Sequence, residues 1–281
     1  MASRDTTKLA MYGDYEVGKT MQIKHLIHAY GAEKVIILNA DAGLSSINSH
    51  LEGVEVVRVG SRDDMRRAYC DIFGSDIYPD GSPCAKKYVR FNEPGCWIVQ
   101  DGVSRIFEWI ENENKRQAES VYVGVLADKK IDPALAKYRT CVTEADRYDQ
   151  QKVYGFIGRD IEDYCSAWIK SKANMYWTFM EALTGHNGRN RCKPLGPSIP
   201  GRMGLDSVMR SMDFIFRMYW EGERCFVRTR ATDEVLARRR NDIDAGDVIP
   251  DVIENFNIAE FAMAHGAQVK ETTDVMGPET R

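Results

Sequence analysis

Eight consecutive residues, G-D-Y-E-V-G-K-T at positions 13–20, have the types and spacing that hold a polyphosphate. Glycines at 13 and 18 let the backbone curl until successive N–H groups point at one anion, and a following helix adds the positive end of its dipole. Lys19 supplies an ammonium for the β and γ phosphates, and Thr20 a hydroxyl for magnesium. The expected cradle is Gly13, Asp14, Tyr15, Glu16, Val17, Gly18, Lys19, Thr20 and Met21, holding ATP with Mg2+. An ordinary glycine turn is the competing reading. Against it stands the context: residues 8–12 are an apolar run ending at Gly13, and residues 20–30 set Met21, Leu26, Ile27 and Tyr30 near helical spacing.

Hydrolysis needs carboxylates as well as a phosphate loop. C-W-I-V-Q-D, residues 96–101, is an apolar run ending in Asp101, which beside such a loop would orient the magnesium shell. The same residue could instead cap a following helix. V-I-I-L-N-A-D-A-G-L, residues 35–44, carries Asp41 just past a second apolar run. There it could orient or deprotonate the attacking water, or serve only to form a turn ahead of Gly43.

These groups lie far apart in the chain, so a scaffold must bring strand ends together. Strands are predicted at 35–38, 54–59, 96–100 and 175–179, and helices at 61–73, 104–114, 153–172 and 252–264. Their alternation implies an α/β fold with a mostly parallel central sheet flanked by helices. Residues 213–220 and 225–230 read as a C-terminal β-hairpin around E-G-E. Residues 74–95 are a Gly-, Pro- and charge-rich excursion, 118–149 an insertion of unclear structure, and 265–281 a polar tail expected to be disordered. That leaves 1–264 as a single domain.

With 281 residues, 43% of them hydrophobic, the chain can bury one substantial core without disulfides or metals. Seven cysteines without a C-x-x-C pair argue against structural zinc and a disulfide framework, and suit a reducing compartment. No apolar run approaches the roughly 18 to 20 residues of a membrane span, so a cytoplasmic protein with no membrane partner is expected, in the host cytoplasm if phage-encoded. The net charge of -4 means that any nucleic-acid contact must come from a local basic patch.

Taken in order, the three segments resemble the RecA-like ATPases, and among them the compact phage recombination ATPases of Sak type; the likeness covers most of the chain. The resemblance implies a RecA-like P-loop NTPase core. It implies that L-N-A-D-A-G-L carries the catalytic carboxylate, with Asp41 standing where RecA itself has glutamate. It puts Glu181, after the strand at 175–179, in the place of a polar sensor of the γ phosphate. P-S-I-P-G-R at 197–202 is similar to a loop element of the phage group, and A-R-R-R at 237–240 to its basic segment. Arg238 and Arg240 thereby become candidate fingers for a neighbouring subunit's nucleotide, which implies self-association into a ring or filament. The N-terminal polymerisation arm of long recombinases is expected to be missing. Two F-x-x-A strings, at 256–259 and 261–264, resemble the docking peptide of eukaryotic recombinases, although Phe and Ala at helical spacing also read as core.

Residues 184–204 carry Arg189, Arg191, Lys193 and Arg202 and no acidic residue, a cationic loop in an acidic protein. Such a loop would follow a single-stranded DNA backbone, and it lacks aromatics for base stacking. It falls where RecA-like proteins have their second DNA-binding loop; a chance basic surface, or a contact to nucleotide phosphates, is the alternative. The expected function is therefore a DNA-stimulated ATPase that binds single-stranded DNA and promotes annealing or recombination, possessing a replication or recombination partner. The alternative is a P-loop ATPase acting on a protein, such as a helicase loader or a packaging or defence motor.

Overall fold

β1 (Lys8–Gly13) is buried at every position, the pattern of a strand with neighbours on both sides and helices above and below. The computed structural model of the chain describes residues 6–41, 43–143, 147–183, 194–239 and 249–265. After the loop at 14–21 comes α1 (Gln22–Tyr30), whose Ile23, Leu26, Ile27 and Tyr30 form one buried stripe. β2 (Val35–Asn39) and β3 (Glu55–Arg58) follow, then α2 (Arg62–Phe73). The Ser61 side chain caps α2 by accepting from the Asp64 amide, and Gly74 in the left-handed region stops it. β4 (Trp97–Asp101), α3 (Val103–Leu126), α4 (Gln150–Trp168) and β5 (Asn174–Leu183) complete the middle of the sheet and one covering layer.

The C-terminal third contributes β6 (Leu195–Pro197), α5 (Gly201–Ser211), β7 (Phe214–Glu221), β8 (Arg224–Arg228), β9 (Arg238–Arg239), β10 (Val252–Glu254) and α6 (Ile258–Ala264). The sheet runs β10-β8-β7-β1-β5-β4-β2-β3, with β6 on β5 and β9 on β7. From β7 to β3 all neighbours are parallel, and β8 and β10 add an antiparallel edge. Parallel neighbours need crossovers, which is why helices separate them in the chain. On one face α2, α3, α4 and α5 bury Met65, Phe107, Ile161 and Val208 against Ala10, Tyr12 and Trp177. On the other, α1 and α6 close over Leu9, Met11, Tyr176 and Phe216. Among the described residues, no helix is long and apolar enough to cross a membrane.

Several elements depart from the sequence expectation. The helix expected at 104–114 runs on to Leu126, because Asn114, which looks like a stop, is fully buried and satisfied. Its amide donates to Ile110 O at 2.9 Å and Asp160 Oδ2 at 3.0 Å, and Tyr138 Oη donates to its Oδ1 at 2.6 Å. The stretch 118–149 nevertheless anchors in the core: Ala118, Val121, Tyr138 and Cys141 are all buried, the last two on a 3-10 segment, Pro133–Cys141, while most of its other described residues are exposed or half-buried. α5 had no sequence signal, being a glycine-bearing stretch that is helical through burial of Gly204, Ser207 and Val208. The last helix starts only at Ile258; Val252–Glu254 is a strand on β8, and the Asn257 side chain caps the helix after the break. Phe256, Ala259 and Phe261 of the two F-x-x-A strings are buried, with Phe261 edge-on to Phe214 and Phe216, so both phenylalanines are taken up by the core, while Ala264 is exposed.

Candidate functional site

The C-terminal ends of β1, β5, β4 and β2 meet at one edge of the sheet, and the residues singled out at 13–20, 41 and 101 meet there too. β5 lies between the strand that leads into the loop and the strand that ends in Asp101. It ties both together: Tyr176 Oη donates to Lys19 O at 2.8 Å, and Thr178 Oγ1 donates to Asp101 Oδ1 at 2.7 Å. Gly102 N donates in turn to Thr178 Oγ1 at 2.8 Å. Thr20 Oγ1 reaches the same carboxylate, 3.2 Å from Oδ1 and 3.4 Å from Oδ2. Asp101 caps no helix: Gly102 holds the N-cap position of α3, without a side-chain cap.

Lys19 is buried, and its Nζ donates to Gly13 O at 2.9 Å and Asp14 O at 2.5 Å. The ammonium is thus folded back over the loop. Burial holds its pKa below the usual lysine value, while Asp101, Asp14, Glu181 and Asp41 pull the other way. For Asp101, burial pushes the carboxyl up, opposed by the Thr178 hydroxyl and more weakly by Thr20 and Lys19. Gly13 is dictated by packing: a Cβ there would collide with the Met218 carbonyl oxygen of β7. Asp14, Tyr15 and Glu16 are exposed, and Val17 is buried beneath the loop.

Asp41 is brought beside Asp101 by the ladder, since Asn39 is opposite Asp101 and Ala40 N donates to Asp101 O at 2.9 Å. Its outer side is exposed, while Gly102 packs against its Cβ in the left-handed region, at φ 89°, where a side chain would clash. Desolvation on that inner side raises its pKa above the usual carboxylate range, with Arg105 opposing. A cavity of about 820 Å³ opens next to it, lined by Asn39, Ser45, Asn48 and Arg58 among others.

Glu181 sits at the same edge, but it is not a lone polar group. Arg217 of β7 donates to it through Nε at 2.5 Å and Nη2 at 3.2 Å, a bidentate pair. Arg217, Thr178 and Tyr176 were missed from the sequence; a Thr three residues before Glu181 and an Arg on the hairpin strand carry no motif of their own. Pro197 lies opposite Glu181 and Leu195 opposite Leu183, so β5 and β6 form an antiparallel stem on either side of 184–193. Arg189, Arg191, Lys193 and Arg240 lie outside the described residues. Arg202 is not in a loop: it is exposed on the first turn of α5, 3.8 Å from Asp206. Arg238, half buried in β9, is opposite Ile215, towards the foot of β7.

The arrangement offers a hydroxyl, a carboxylate and an ammonium converging where a helix begins, which suits an anion accompanied by a hard cation. Among the described residues no three His, Cys, Asp or Glu side chains group to hold a metal unaided. Thr20 and Asp101 alone would fit an ion whose other ligands are phosphate oxygens and waters. No known family model matches this chain, and neither does any curated protein.

Proposed function

We propose that the chain is a magnesium-dependent ATPase with a RecA-like core that binds single-stranded DNA and promotes annealing or recombination. The nucleotide half of this reading is carried by the meeting of Thr20 and Asp101, 81 residues apart, beside the Lys19 ammonium. Lys19 would release the Gly13 and Asp14 carbonyls for β and γ phosphate oxygens, an exchange that its burial favours because a desolvated cation gains most from an anion. The Thr20 hydroxyl would turn from Asp101 to ligate the metal, and Asp101 would orient the metal's waters. Bound magnesium supplies neutralisation of the outer phosphates. Asp41, with its raised pKa, suits a base that takes a proton from water at the γ phosphate.

Support for the DNA half is the β5–β6 stem, which roots the cationic segment beside Glu181 and Arg217, so a DNA backbone held there would act close to the γ phosphate. One observation favours the protein-partner alternative: Arg202 stands on α5 and not in the loop, which leaves the cationic segment one charge short. A finger role for Arg238 requires a neighbouring copy packed head to tail. Lys19→Ala should abolish ATP binding measured by calorimetry, and undiminished affinity in that variant sinks the phosphate-loop assignment. Titrating the ATPase rate with single-stranded DNA separates the two readings: stimulation supports the DNA partner, and an unchanged rate supports a protein one.

A further inference from the structure

β7 backs the phosphate loop along its outer flank. Its Met218 carbonyl closes over Gly13, and the Met218 methyl would lie 3.3 Å from a Cβ on Gly18. On the next strand the Cys225 thiol donates to Val17 O at 3.7 Å. Side chains of a strand alternate between faces, and Phe214, Phe216 and Met218 all bury on the α1 side. Trp220 continues that row, directly opposite Cys225. It stands about 7 Å beyond Met218, two residues' rise along the strand. There Trp220 is 50% exposed.

A third side bounds the same corner. Asn255 N donates to Cys225 O at 3.1 Å, and Ile258 N donates to Gln22 Oε1 at 3.1 Å, so the turn before α6 bridges the hairpin and the first turn of α1. The opposite flank of the loop, towards β4 and β2, holds Asp101 and Asp41, the residues that the proposed reading assigns to the metal and the outer phosphate. Two carboxylates suit that flank to the metal-bearing end of the nucleotide, and the hairpin flank offers a flat, half-exposed ring for its base. A large indole face left open to water next to an anion cradle has an obvious occupant in the base carried by that anion.

We infer that Trp220, on the β7–β8 hairpin, is the stacking platform for the base of the bound nucleoside triphosphate. This rests on the phosphate-loop reading and adds to it the residue that recognises the nucleoside. Stacking tolerates any base, because every base has a π-face, so the platform holds purines alike and leaves the choice between ATP and GTP to other groups.

The test is equilibrium binding, with magnesium present, of ATP, GTP and inorganic tripolyphosphate to the wild type and to Trp220→Ala, Trp220→Phe and Lys19→Ala. Trp220→Ala should weaken ATP and GTP by roughly five- to a hundredfold and leave tripolyphosphate unchanged. Trp220→Phe should recover most of the loss, and Lys19→Ala should lose all three ligands. Unchanged ATP affinity in Trp220→Ala overturns the platform while tripolyphosphate binding keeps the phosphate site standing. Equal loss of ATP and tripolyphosphate also overturns it, since Trp220 would then act only by packing the hairpin against the loop. Failure of the wild type to bind any of the three removes the phosphate-loop reading and the platform with it.

Discussion

Asp101 is 2% exposed and accepts from two hydroxyls, yet burial outweighs both and raises its pKa. A carboxylate so placed is incomplete without a cation, which is the physical reason that a magnesium site is proposed next to it. Asp41 is placed differently, with one side open to solvent and one against Gly102. Removing its charge should leave the cradle intact, because no loop hydrogen bond runs through it among the described residues. Asp41→Asn is expected to bind ATP as the wild type does and to slow single-turnover hydrolysis by about 10²- to 10⁴-fold, the usual contribution of a positioned base. Normal turnover in that variant would return Asp41 to the turn-forming role.

At the scale of elements, β5 holds the site together and α3 holds β5's covering layer in place. Ser104 Oγ, in the first turn of α3, donates to Ser198 O at 3.0 Å and accepts from Met180 N at 3.0 Å, joining α3 to β5 and to the residue after β6. The middle of α3 is fixed by a polar cluster in the core: Asn114, Asp160 and Tyr138, with Arg62 held between Glu113 and Asp160 at 2.8 Å each. Tyr138→Phe takes the donor away from Asn114 Oδ1 and leaves a buried acceptor without it. The expected cost is about 1–3 kcal/mol of unfolding free energy by denaturant titration, with ATP affinity unaltered. A loss well below that range would mean that residues 133–141 do not pack as core.

For the whole molecule, the start of β1 carries an unusual burden. Lys8 is 5% exposed, donates through Nζ to Ser171 O at 2.9 Å and Ala173 O at 2.5 Å, and has its pKa lowered to about 8 by burial, with Asp213 opposing. A depressed lysine pKa means that the unfolded chain binds the extra proton between about 8 and the ordinary value of 10.5. The penalty for burying the charge is complete below that window and fades as pH rises through it. The free energy of unfolding, taken relative to Lys8→Met at each pH, should therefore increase from pH 8 to pH 10, by up to about 2 kcal/mol. A flat difference curve would show that the ammonium remains hydrated in the folded state.

The order of strands and helices up to residue 101, the loop at 14–21 between a strand and a helix, and the hairpin around E-G-E were legible from local pattern alone. Apolar runs bounded by turn residues have one good way to be buried, and a G-x-x-x-x-G-K-T string needs no distant partner to be recognised. Asp101 and Asp41 could be proposed but not decided, because a strand-ending Asp looks the same whether it caps a helix, forms a turn or faces a loop 81 residues earlier. Tertiary structure alone decided that Thr178 and Tyr176 bridge the loop that carries Lys19 and the strand that carries Asp101, that Arg217 pairs with Glu181, and that Trp220 lies opposite Cys225, whose thiol reaches the loop at Val17. It also decided that Asn114 continues a helix instead of ending it, and that a glycine-bearing stretch becomes α5. Each of these depends on which strand lies next to which, and that is set by packing across the whole sheet, where contacts between residues far apart in the chain outweigh the local preferences that a sequence displays.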